Sequence, residues 1–111
     1  MAEMVYGELT SYNATLFSKM GDTRAQMLLI SEAANAVCYL TFFTDSVTLP
    51  DNRLVYQGAT RQIYVSMRYS DYANVIDLAR NEKPLSFFYR DDVKLFYVTS
   101  SREPIGEQEG I

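Results

Sequence analysis

The side chains in this chain that could do chemistry are carboxylates and phenols: 14 Asp and Glu and nine Tyr, with one Cys and no His. Without imidazole there is no Ser-His-Asp or Cys-His dyad, no proton shuttle tuned to neutral pH and no histidine metal ligand. Cys38 stands alone, so neither an internal disulfide nor a cysteine-rich zinc site can form. It lies in the apolar run 36–43, with no cation close by to lower a thiol pKa, and reads as a small core residue. An unpaired thiol also fits a reducing compartment. Asp91-Asp92 is the one adjacent acidic pair flanked by strand-like sequence. At a hairpin tip both carboxylates would be solvated, with no further oxygen ligands near in sequence, so the pair reads as turn chemistry rather than as an acid–base pair or a cation site. The five glycines, at positions 7, 21, 58, 106 and 110, are too scattered for a phosphate cradle. No catalytic residue, metal or cofactor is expected.

A binding chemistry is more legible. Sorted by parity, the odd positions Ile63, Val65, Met67, Leu85, Phe87, Tyr89, Val93, Leu95 and Tyr97 are all apolar or aromatic and predict a core layer. The even positions of the same strands include Tyr64, Arg68, Phe88, Arg90, Lys94, Phe96 and Val98: cations and aromatics without an acid. Aromatics interleaved with Arg and Lys are how a sheet stacks bases and neutralises phosphates. Equally, a face carrying Phe88, Phe96 and Val98 needs a cover, and a second copy of the chain is the simplest one. The six residues Tyr64, Arg68, Phe88, Arg90, Lys94 and Phe96 are therefore the candidate ligand or interface set.

The elements that must position them are mostly strands. Met4 to Phe17, Arg24 to Ile30 and Val37 to Thr44 are β-favouring, and 31–36 reads as a loop or one helical turn. Pro50-Asp51-Asn52 is a turn, and Gly58 breaks the run 53–57 from the alternating strand 61–68 with a bulge or bend. One helix is predicted from about 71 to 83, with Ser70 as N-cap, a stripe of Tyr72, Val75, Ile76 and Ala79, and Pro84 as its stop. A hairpin follows: 85–90, Asp91-Asp92 as the turn, then 93–99. Short connections and one helix predict an α+β, β-rich domain, an antiparallel sheet rolled into a barrel or half-barrel with the helix against an open side.

At 111 residues and 48% hydrophobic, the chain has room for one domain with a real core. Residues 1–102 form that domain and 103–111 an acidic tail, whose three glutamates hold most of the net charge of −4. Strong binding to duplex nucleic acid is not expected of an acidic chain. No leader or membrane segment is apparent, and a cytoplasmic protein in the style of small bacterial or mobile-element domains is expected. The expected role is a non-catalytic interaction module that self-associates. The alternative is a binder of a nucleotide, another anionic aromatic ligand, or single-stranded nucleic acid through the aromatic and basic face.

Overall fold

A computed structural model describes residues 3–100. The acidic tail lies outside the described residues. Eight strands and one helix form a small β-rich α+β domain: β1 (Met4–Glu8), β2 (Ser11–Leu16), β3 (Thr23–Ser31), β4 (Ala36–Phe43), β5 (Arg53–Gln57), β6 (Thr60–Arg68), α1 (Tyr72–Asn81), β7 (Leu85–Arg90) and β8 (Leu95–Ser100). They build two sheets, a three-stranded one in the order β1-β7-β8 and a five-stranded one in the order β2-β3-β4-β6-β5. The sheets are not closed, so the expected barrel is not confirmed.

The core lies between the sheets, where alternate residues of each strand face inward. Ala25, Met27 and Leu29 on β3, Cys38, Leu40 and Phe42 on β4 and Ile63 on β6 meet Val5, Phe87 and Tyr89 from the smaller sheet, all at most 1% exposed. The helix covers one end of this layer: Val75 is buried, Tyr72 and Ile76 pack on the core, and the Tyr72 ring meets Phe42 edge-on with centroids 5.0 Å apart.

Several sequence expectations are refined. The segment 4–17 is two strands, because the chain leaves one sheet for the other at Leu9-Thr10: Leu9 N–H donates to the Leu85 carbonyl and Thr10 N–H to that of Ile30. Residues 32–35 form a turn between β3 and β4, with Asn35 at a positive φ of 50°. Gly58, at φ 61°, closes a tight β5–β6 hairpin in which Gln57 pairs with Thr60. Ser70 does not cap the helix: it sits in a 3-10 turn, Tyr69–Asp71, so Asp71 takes the N-cap place without a side-chain cap bond.

The expectation of antiparallel pairing holds for every pair but one. β4 and β6 are parallel, with Cys38 opposite Ile63 and Leu40 opposite Val65. After β4 the chain crosses to the sheet edge to lay down β5, then turns back to place β6 between β5 and β4.

Candidate functional site

The six candidate residues do not share one face. Tyr64 and Arg68 lie on β6 of the five-stranded sheet, whereas Phe88, Arg90 and Phe96 lie on β7 and β8 of the other, so parity carried from 68 to 85 has no geometric meaning. Within the β7–β8 hairpin the parity itself reverses. Arg90 pairs with Leu95, Phe88 with Tyr97 and Phe87 with Val98, so every even residue of β7 faces an odd residue of β8. Residues directly opposite in an antiparallel pair share a face, and any loop with an even number of residues pairs even with odd. Phe96 and Val98 therefore pack on the core beside Phe87, while Val93, Leu95 and Tyr97, expected inside, are exposed. The turn spans 91–94 instead of Asp91-Asp92 alone, with Lys94 at φ 57°. A two-residue hairpin turn needs positive φ at both positions (type I′) or a glycine-like conformation at the first (type II′), and Asp-Asp suits either less well than a pair containing Gly.

Each of the cations has a partner within the chain. Arg68 Nη1 donates to the carbonyls of Asp45 (3.1 Å), Thr44 (3.4 Å) and Val47, which anchors the loop leaving β4. Arg90 Nε donates to Asp92 Oδ1 at 2.8 Å. Lys94 Nζ and Tyr89 OH both donate to Asp91 Oδ1, at 3.2 and 2.7 Å. The Tyr89 hydrogen bond first, and then the Lys94 ammonium, hold the Asp91 carboxyl below its usual range. Burial and the same carboxylate push the Tyr89 phenol well above its usual value. Asn52 ties the turn to the larger sheet: its Nδ2 donates to the Lys94 carbonyl and its Oδ1 accepts from Ser66 N–H, both at 2.9 Å. These groups build the hairpin tip and the 44–47 loop.

Tyr64 sits on the outer face of the five-stranded sheet, sandwiched between Tyr39, whose ring is stacked at 4.9 Å, and the Arg53 guanidinium at 4.2 Å. Sequence reasoning missed both partners. Arg53 is findable from hairpin arithmetic around Gly58; Tyr39 depends on the parallel β4–β6 register.

What the smaller sheet does present is an aromatic row. Tyr6, Phe88 and Tyr97 are directly opposite one another across β1, β7 and β8, and Phe88 and Tyr97 stack at 5.1 Å. Met4, Arg90 and Leu95 form the next row and Glu8, Ser86 and Thr99 the one on the other side. Tyr6 is 70% exposed, Met4 53%, Leu95 47% and Tyr97 46%. Four of the domain's exposed large hydrophobics thus gather on one face that no element of the described residues covers.

Concave surface is of another kind. A cleft of about 950 Å³ runs between the β1–β2 bend and the end of α1, where Arg80 and Lys83 stand against Glu8 and Glu82. Two cations with two carboxylates give it no net sign. Among the described residues no cluster of His, Cys, Asp and Glu could hold a metal ion, and no helix is long and apolar enough to cross a membrane.

Burial pushes the Cys38 thiol up to about 12. Cys38 should therefore resist thiol reagents in the native protein at pH 8 and react only after denaturation, and rapid native labelling by Ellman's reagent would contradict this placement. Comparison of the chain with known protein families, with curated proteins and with solved structures gives no match.

Proposed function

We propose that the protein is a non-catalytic interaction module, and that a second copy of the chain covers the aromatic face of the three-stranded sheet. The observation that carries this reading is the exposed row Tyr6, Phe88 and Tyr97 with Met4 and Leu95 beside it. Exposed contiguous apolar surface of this kind marks interaction sites on small proteins.

Charge placement supports a second copy as the partner. Arg90 lies at one end of the face and Glu8 at the other, on adjacent strands. A two-fold axis along the aromatic row brings Arg90 of each copy over Ser86 of its mate, one strand and about 4.8 Å to the side of Glu8. From there the terminal guanidinium nitrogens, not used in the Nε bond to Asp92, can reach the carboxylate. A nucleotide or single-stranded nucleic acid is less well served. Of the three cations that reading needs, Arg68 is spent on loop carbonyls and Lys94 on Asp91. The buried, unpaired Cys38 fits a cytoplasmic setting.

The face is small. Three strands about 4.8 Å apart and five residues of about 3.3 Å give a flat footprint of about 240 Å², well under the roughly 800 Å² per partner of a standard interface. Association should therefore be of micromolar strength, with mass rising with concentration. Sedimentation of the wild type should give species heavier than the 12.7 kDa chain at high micromolar concentration. Tyr97→Lys, at a half-exposed position, should remove this step while lowering the melting temperature by only a few degrees, the cost of its stack on Phe88. A strictly monomeric wild type, or an unchanged assembly in Tyr97→Lys, would overturn the reading.

A further inference from the structure

The strand β2 is an edge strand that no element of the described residues guards. Its sequence, Ser11-Tyr12-Asn13-Ala14-Thr15-Leu16, contains no charge and no proline, and its pairing with β3 runs without a bulge. Natural edges are usually blunted by one of these devices, because an open row of N–H and C=O groups templates another strand. All six residues are exposed.

The ladder shows which groups are open. Phe17 N–H donates to the Arg24 carbonyl, one step beyond the Leu16–Ala25 pair. Hydrogen-bonded pairs alternate along an antiparallel ladder, so Thr15, Asn13 and Ser11 also bond toward β3. The N–H and C=O of Tyr12, Ala14 and Leu16 then point away from the sheet. The side chains of these same three residues lie on the inner side, opposite Leu29, Met27 and Ala25, yet Tyr12 is 39% and Leu16 63% exposed. The larger sheet overhangs the smaller one here, and its overhang is apolar.

We propose that β2 is a second self-association edge, pairing antiparallel with β2 of another copy about a two-fold axis through Ala14. Joining two copies edge to edge with their core faces on the same side requires opposed residues of equal parity. Centring on Ala14 meets this condition: Ala14 faces its own counterpart, and Tyr12 faces Leu16 of the other copy. The same register is the one in which every open N–H finds an open C=O, because the outward-facing residues are Tyr12, Ala14 and Leu16 themselves. It also places each exposed Tyr12 ring beside an exposed Leu16, with the small Ala14 pair at the centre. Registers of equal parity meet both the hydrogen-bond and the apolar pattern, and the one centred on Ala14 is the one that opposes all three open residues with one another.

This edge is distinct from the aromatic face, so the two can be separated. Ala14→Pro removes one outward N–H and leaves the bonds to β3 intact, a substitution edge strands accept. It should reduce the wild-type assembly to the dimer held by the aromatic face, just as Tyr97→Lys should reduce it to the dimer held by β2; the two together should give a monomer. Ala14→Cys tests the register directly. Hydrogen-bonded partners have Cα atoms about 5.5 Å apart, within disulfide reach. Mild oxidation should then yield a covalent dimer of twice 12.7 kDa on a non-reducing gel, and Thr15→Cys should yield at least ten-fold less. The proposal is overturned by equal cross-linking of the two cysteine variants, by none in either, or by folded Ala14→Pro protein that sediments like the wild type. If instead Tyr97→Lys leaves the assembly unchanged while Ala14→Pro gives a monomer and Ala14→Cys cross-links as stated, the aromatic-face reading fails and the edge proposal stands.

Discussion

Phe87→Ala should destabilise the domain by about 3–5 kcal/mol, the range for truncating a buried aromatic ring, whereas Phe88→Ala should cost about 1 kcal/mol, the loss of one partly exposed stacked pair. The residues are neighbours on β7 and chemically identical; they differ only in face. Phe87 is 1% exposed and stacks against Phe96 inside, while Phe88 lies on the outer row against Tyr97. The order should reverse on β8, where even-numbered Phe96 is the inward residue and Tyr97 the outward one. Truncating Phe96 should therefore cost more than truncating Tyr97. Urea unfolding at nanomolar concentration, below the micromolar range of self-association, checks all four variants together. If Phe88→Ala proved as costly as Phe87→Ala, or Tyr97→Ala costlier than Phe96→Ala, the hairpin register would be misassigned and the aromatic row with it.

The same elements also show where sequence reading stops. The helix was legible because its signal is local: Tyr72, Val75 and Ile76 recur at helical spacing and Pro84 follows. Its start was not, since Ser70 met the capping rule but the chain spends 69–71 on a tighter turn first. Burial along β6 and β7 was legible for a similar reason, as Ile63, Val65, Phe87 and Tyr89 alternate within single strands. Facing within the hairpin was legible too, since the expected two-residue turn and the observed four-residue one are both even-numbered and both pair even with odd, but a single parity carried through the turn overlooked it. Facing between β4 and β6, and between the two sheets, was not, because strand order is a tertiary fact. An even-numbered loop turned Phe96 and Val98 inward, and a parallel pairing put Tyr39 under Tyr64. Arg68 illustrates a further limit. Its charge suggested an anion, but the partners it found are carbonyls of a loop 21 to 24 residues away in sequence. A cation opposite unsatisfied carbonyls and a cation awaiting a phosphate look alike until the loop is placed.

Gly7→Ala should destabilise the domain although it replaces glycine in a strand. Such a change ordinarily gains about 0.5–1 kcal/mol from reduced chain entropy. Here an added Cβ would lie 2.8 Å from the Ala34 Cβ and 2.8 Å from Ser31 Oγ. Neither neighbour can yield freely. Ser31 is 1% exposed, and its Oγ donates to the Glu8 carbonyl at 2.7 Å while accepting from Ala34 N–H at 3.2 Å. The β3–β4 turn is thereby pressed against β1, and Gly7 is the residue that lets it approach. Overpacking a fixed site costs about 1–3 kcal/mol, so strain should exceed the entropic gain and leave a net loss of about 1–2 kcal/mol; Gly7→Val should lose more. The mechanism predicts coupling as well. Ser31→Ala alone strips the Glu8 carbonyl and Ala34 N–H of their partner, but in the Gly7→Ala background the turn has already been pushed away and the serine bonds are weakened. The double variant should thus be less destabilised than the sum of the single ones, by about 0.5 kcal/mol or more. Additive losses, or a Gly7→Ala protein more stable than the wild type, would mean that the β3–β4 turn does not rest on β1 as the Ser31 bonds require.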